Sequence, residues 1–125
     1  VTLDQATRQL AEAGIGNPRA EARLLLAYAL GVSREQTLTH SLATTPEQAQ
    51  RFAAMVARRA AREPFAYITG RKEFWSLAFE VGPGVLVPRP DTETLIEEAL
   101  RIVPDRSASL RIADLGTGSG AILIA

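Results

Sequence analysis

Over its first seventy or so residues the chain sets apolar side chains three and four apart, the spacing of helices with one buried face. Leu3, Ala6, Leu10 and Ala13 share such a face behind Thr2-x-x-Gln5, a capping-box pattern, and Gly14 ends the helix. Asn17 is placed to cap a second helix, with Pro18 in its first turn, Leu24, Leu25 and Tyr28 as its stripe and Gly31 as its stop. Ser33-x-x-Gln36 opens a shorter third helix with Leu38 facing inward. Thr45-Pro46-x-Gln48 opens the longest, carrying Ala49, Phe52, Ala53, Val56 and Ala60 on one face. Glu63-Pro64 breaks it, because proline lacks an amide hydrogen and disfavours helix at the residue before it. A last turn through Tyr67 and Ile68 ends at Gly70. Four or five short helices with brief loops predict a small bundle.

The period changes at Glu73. Phe74-Trp75 and Leu77 to Val81 alternate or are aromatic, Gly82-Pro83-Gly84 is a strong turn, and Val85-Leu86-Val87 reads as a return strand. Residues 74–87 are therefore expected to form a β-hairpin between two domains. Pro88-Arg89-Pro90 stiffens its exit, and Asp91 or Thr92 caps a helix bearing Leu95, Ile96, Ala99, Leu100 and Val103. Leu110 to Leu115 reads as a strand that runs into Gly116-Thr117-Gly118-Ser119-Gly120 and a helix starting near Ser119. The apolar run Ala121 to Ala125 stops without a cap, a turn or a polar tail, so the chain reads as an N-terminal piece of something longer.

Composition limits the chemistry. Fourteen Lys+Arg balance fourteen Asp+Glu, which leaves no overall basic field to draw in nucleic acid, and direct binding of it is not expected. The absence of cysteine excludes disulfides, thiolate catalysis and Cys-based zinc sites; with His40 as the single histidine, a His-rich metal site is excluded too. No metal is expected. No apolar run reaches the roughly 18 residues of a membrane-spanning helix. The opening Val1-Thr2-Leu3-Asp4 lacks the regions of a signal peptide, which makes the cytoplasm the default location.

The strongest local signal is Asp114-Leu115-Gly116-Thr117-Gly118-Ser119-Gly120 between a strand and a helix. Glycines let the backbone turn sharply and let a ligand approach the amides without meeting a Cβ, and the helix start offers unpaired N–H groups. Such a turn at the end of a parallel strand is where α/β sheets bind nucleotides. The spacing is G-x-G-x-G, not the G-x-G-x-x-G of dinucleotide sites. The acid two positions before the first glycine suits a ligand with an ammonium and a sulfonium better than a pyrophosphate. A tight βα turn without a ligand is the plainer alternative. The segment Val85 to Glu93 reads either as a rigid connector with a capped helix or as a helix N-terminus that binds the carboxylate of an amino-acid-like ligand.

Four motifs in order carry a family resemblance: Glu63-Pro64-x-x-Tyr67-Ile68-x-Gly70, Phe74-Trp75-x-x-x-Phe79-x-Val81, Val85-Leu86-Val87-Pro88-Arg89-Pro90-x-Thr92-Glu93, and Asp114 through Ala121. Together they resemble the protein-(glutamine-N5) methyltransferases of peptide chain release factors, the HemK/PrmC family. The likeness is pattern-level over residues 1–60 and specific from about Arg62 onward.

The resemblance implies an α/β protein in three parts. These are a helical substrate-recognition bundle over residues 1–73, a β-hairpin linker over 74–90, and the truncated start of a Rossmann-like methyltransferase domain over 91–125. It implies S-adenosyl-L-methionine as cofactor, bound by Asp114, Gly116, Thr117, Gly118, Ser119 and Gly120, with Thr92 of the Pro-Arg-Pro-x-Thr-Glu segment nearby. The implied partner is a peptide chain release factor, methylated on the glutamine of its Gly-Gly-Gln tripeptide. No membrane partner is implied. The family's catalytic Asn-Pro-Pro-Tyr is absent, as is the acid that would bind the ribose, so no catalytic residue is expected within this chain. Ser76 stands where the family usually has glycine. Two rivals are a same-lineage enzyme acting on another protein glutamine or a nucleic acid base, and a non-catalytic helical binding module.

Other features have plainer readings. Arg58, Arg59 and Arg62 sit where cations oppose a helix dipole, with contact to the release factor or ribosomal RNA as the alternative. Arg59 and Glu63 have the spacing of a helical ion pair contributing about 0.3–0.5 kcal/mol. Phe74, Trp75 and Phe79 read as hairpin core and domain-junction packing, with Tyr67 in the same junction, and His40 as a surface residue.

Overall fold

In the computed structural model, which describes residues 1–39, 43–107 and 109–125, the chain forms two compact units, residues 1–69 and 70–125. His40 lies outside the described residues.

The first unit opens on α1 (Leu3–Glu12), where Thr2 Oγ1 accepts the Gln5 amide at 3.2 Å and Gln5 Oε1 accepts the Thr2 amide at 2.8 Å. These are reciprocal bonds to otherwise orphaned donors. In α2 (Pro18–Leu30) the expected side-chain cap does not form, because Asn17 is left-handed (φ 51°) and its side chain makes no capping bond. Pro18 at the first position has no amide to satisfy, which lowers the cost. Ser33 and Gln36 make the expected reciprocal pair before α3 (Gln36–Thr39), at 3.3 and 2.9 Å. Thr45 and Gln48 repeat it before α4 (Pro46–Ala60), at 3.2 and 3.0 Å. A short α5 (Phe65–Thr69) follows the Pro64 break.

Leu10, Leu25 and Val56 are fully buried, and Ala6, Phe52, Met55 and Ile68 complete the core between these helices. Burying a Leu-sized side chain stabilises by about 1.5–3 kcal/mol, so the bundle is held mainly by this cluster. Leu38 corrects its expected inward orientation: it is 54% exposed, and Thr37 is buried instead, its hydroxyl donating to Arg34 O at 2.6 Å. One turn of helix presents one inward position, and the neighbouring residue takes it. Tyr28 stays 40% exposed, edge-on to Phe65.

The expected Arg59–Glu63 side-chain pair also gives way. Arg59 reaches across to Glu21 of α2 at 2.5 and 3.1 Å, while its Nη1 donates to the backbone carbonyl of Glu63. The Glu63 carboxylate is taken by Arg58, at 2.7 and 2.5 Å. Glu63 lies past the helix end, after Arg62 turns left-handed (φ 66°), so the side-chain stacking of an i, i+4 pair is lost. Arg62 donates to Ala13 O at 2.8 Å. All three arginines are therefore engaged within the bundle.

Glu63 is held below its ordinary carboxyl value by the Arg58 hydrogen bonds, outweighing its desolvation. A carboxylate depressed on folding stabilises above its unfolded pKa, about 4.5 here, and that contribution is lost as pH falls through the folded value. The urea midpoint of this unit is expected to fall between about pH 6 and about pH 3, and to fall less in Glu63→Gln. An equal fall in both proteins would remove Glu63 from the pH dependence.

The second unit begins with a two-stranded antiparallel hairpin, β1 (Arg71–Phe74) and β2 (Leu77–Glu80), in register from Arg71 opposite Glu80 to Phe74 opposite Leu77. The hairpin expected over 74–87 is thus shifted. Its turn is Trp75-Ser76, both left-handed (φ 50° and 59°), a two-residue turn whose twist matches that of the strands. The Gly82–Gly84 turn does form, with Val85 N donating to Gly82 O at 3.0 Å, but residues 85–87 form no strand.

A single 3-10 turn (Pro90–Thr92) leads into α6 (Glu93–Ile102). Neither Asp91 nor Thr92 caps α6 as expected: Thr92 already has helical dihedrals and its side chain makes no capping bond. Ile96 is buried and Leu100 packs partly, whereas Leu95 and Ile102 stay exposed. The strand expected over Leu110 to Leu115 does not form, and Leu115 is 93% exposed. A parallel strand is held by neighbours on its edges, and the described residues offer it none. The described chain ends with α7 (Ala121–Ile124). Phe74, Phe79, Ile96 and Ala121 form the core of this unit, with the two phenyl rings edge to face, centroids 6.3 Å apart. No helix among the described residues is long and apolar enough to cross a membrane.

Candidate functional site

The glycine loop owes its path to its backbone. Gly116, Gly118 and Gly120 have φ of 77°, 56° and 78°, a region costing an L-residue roughly 1–2 kcal/mol. A Cβ built on Gly116 or Gly118 would meet nothing within 4 Å, so no protein neighbour demands these glycines. Gly120 N donates to Thr117 O at 2.8 Å and closes the turn. The helix expected to start near Ser119 starts at Ala121 and runs a single turn, because Gly120 is still left-handed.

The second segment approaches in extended form, with Arg89 at φ −99° and ψ 144°, then tightens as Thr92 N donates to Arg89 O at 3.0 Å. Proline at 88 and 90 fixes this path by restricting both φ and the residues before them.

Loop and segment meet at one cavity of about 140 Å³. Pro88, Arg89 and Thr92 line it from the segment, and Gly116, Thr117, Gly118 and Ser119 from the loop. Phe74, Leu86, Val87, Ala121 and Ile122 form its apolar walls. Five of the seven residues singled out in the sequence, Thr92 and Gly116 through Ser119, are thus brought together. Asp114 and Gly120 are not among the lining residues. A drug-sized ligand fills about 300–1,000 Å³, so this cavity suits one end of such a ligand.

Asp114 carries a separate signal. Its Oδ2 is buried and has no hydrogen-bond partner among the described residues. A buried carboxylate oxygen without a donor is costly, and the atom can accept from an ammonium or another N–H.

Sequence reasoning missed two features. Phe74, read as hairpin packing, is both the centre of the unit's core and a wall of the cavity. Glu93 Oε1 accepts the backbone N–H of Trp75 at 2.8 Å, joining the hairpin turn to the first turn of α6. Only the hairpin's true register, with its turn at Trp75-Ser76, would have drawn attention to that amide. Among the described residues no cluster of His, Asp and Glu could hold a metal ion.

The family described as the PrmC N-terminal domain matches residues 2–70. A protein of Rhodospirillum rubrum named release factor glutamine methyltransferase is 44% identical over 124 residues, covering 98% of this chain and 38% of that protein. Proteins of the same name from Salmonella typhimurium and Moorella thermoacetica are 44% and 45% identical, each over 98% of this chain and 43% of their own length. The chain spans about two-fifths of the length of these curated relatives. The family match takes in every helix of the first unit and more than half of the chain, which therefore belongs to the PrmC N-terminal domain family.

Proposed function

We propose that the whole protein is an S-adenosylmethionine-dependent methyltransferase acting on the side-chain amide nitrogen of the glutamine in the Gly-Gly-Gln motif of peptide chain release factors. Residues 1–69 would serve in recognising the release factor, and residues 70–125 would open a Rossmann-like domain that holds the methyl donor. The names of the relatives support the reaction class and the release factor as substrate. The observation that carries the donor site is the cavity between the Pro88–Thr92 segment and the glycine loop.

The residues present fit the methionine end of the donor. Two left-handed glycines, Gly116 and Gly118, leave open space beside the loop, where a ligand can approach the backbone amides. Thr92, which lines the cavity at the head of α6, suits a carboxylate. Asp114, outside the lining but two residues before the loop, has a buried oxygen without a donor that an ammonium would satisfy if the loop opened toward it. When bound, S-adenosylmethionine supplies a methyl group on a sulfonium. The chain's own part is to hold and orient that end of the molecule and to shelter it with Phe74, Leu86 and Ile122. A glutamine amide is a poor nucleophile because its lone pair is delocalised into the carbonyl. The residues that aim it are expected outside this chain, in the Asn-Pro-Pro-Tyr motif that the family resemblance implies.

The test is mass spectrometry of a release factor incubated with the whole protein and S-adenosylmethionine. One added methyl on the glutamine of Gly-Gly-Gln is the expected result. Methyl transfer to a different glutamine or to RNA, with that residue untouched, would overturn the substrate assignment.

A further inference from the structure

We propose that Glu93 is a positioning residue of the donor cavity, acting through its hydrogen bond to the hairpin turn; this rests on the donor site proposed above. Phe74 and Thr92 both line that cavity, yet they belong to different elements, the end of β1 and the turn before α6. The residues that follow them, Trp75 and Glu93, are bonded to each other: Glu93 Oε1 accepts the Trp75 amide at 2.8 Å. One hydrogen bond thus ties together the chain segments that carry two walls of the cavity.

The chemistry favours a carboxylate at this point. Trp75 is the first residue of a two-residue turn and is left-handed (φ 50°), and Trp75 and Ser76 have no backbone partners in the β1–β2 register. The Trp75 amide is therefore turned outward from the ladder, half-buried, and dependent on an acceptor from elsewhere. A charged acceptor makes a stronger bond than a neutral one, and Glu93 stands at the first residue of α6, where the helix dipole favours negative charge. Glu73 and Ser76 line the same surface hollow as Trp75 and Glu93.

If the bond is lost, Phe74 and Thr92 are no longer fixed relative to each other, and the donor meets a looser cavity. The positioning role is carried by an accepting oxygen, which glutamine retains and alanine removes. The experiment measures S-adenosylmethionine affinity of the whole protein by calorimetry in Glu93→Ala and Glu93→Gln, alongside amide hydrogen exchange of Trp75 without donor. Glu93→Ala is expected to weaken donor binding about tenfold and to lose Trp75 protection, while Glu93→Gln keeps both to within about threefold. Retained exchange protection in β1 and β2 verifies that Glu93→Ala still folds.

Loss of Trp75 protection with unchanged donor affinity would overturn the proposal. So would equal weakening in both variants with Trp75 still protected, since charge and not the hydrogen bond would then be acting. Gly118→Val separates the two levels. Normal donor binding in that variant, with Glu93→Ala still exposing the Trp75 amide, would reject the donor site itself and leave Glu93 only a structural clamp.

Discussion

Phe74→Ala is expected to unfold the second unit. The side chain is 1% exposed, packs edge to face on Phe79 and touches the cluster that includes Ile96 and Ala121. Removing a buried phenyl ring costs about 3–5 kcal/mol, through lost burial and the cavity left behind. At about 0.05–0.15 kcal/mol per residue, a unit of this size has a stability of the same order. Amide exchange should show β1, β2 and α6 losing protection. The helices of the first unit should keep theirs, because their core shares no residue with this one. Persistent protection of β1 and β2 would show that Phe74 is not the centre of that core.

Gly118→Val is expected to abolish binding of S-adenosylmethionine by the whole protein. At φ 56° a β-branched residue is strained by roughly 1–2 kcal/mol, and the loop would shift to relieve it. The added side chain would project into space that no protein atom fills within 4 Å, beside the cavity the ligand is proposed to occupy. Together these effects should weaken binding by at least about a hundredfold. Gly118→Ala carries the backbone strain without the branch and should lose less, about tenfold. Residues 1–125 alone lack the ribose-binding acid and the adenine cover expected elsewhere in the protein. They should bind at millimolar strength or not measurably, against micromolar for the whole protein.

The helices of the first unit were legible in the sequence because their information is local. Thr2, Ser33 and Thr45 each sit three residues before a glutamine, and each pair makes its reciprocal bonds. Asn17 carries the same type of signal but is used differently: its backbone is left-handed (φ 51°), and its side chain makes no capping bond. Partners distant in sequence were not legible: Arg59 chose Glu21, thirty-eight residues away, over Glu63. The hairpin misled because Trp75-Ser76 carries no turn signature whereas Gly82-Pro83-Gly84 carries a strong one. The ladder nevertheless closes around the former.

The candidate site divides in the same way. The glycines of the loop announce left-handed backbone, and the structure has all three there. The strand read into Leu110 to Leu115 depends on neighbours that the described residues do not include, and it is absent. That Phe74 is a cavity wall, and that Glu93 ties the hairpin to α6, could come only from the packed fold.

The central claim is that the glycine loop and the segment before α6 hold the methionine end of the methyl donor. Titrating S-adenosylmethionine into the isotope-labelled whole protein and following its amide NMR signals tests this most directly. The account predicts saturable shifts at Gly116, Gly118, Ser119 and Thr92, with signals of the first unit unmoved. Saturable binding that leaves those four amides in place would contradict it.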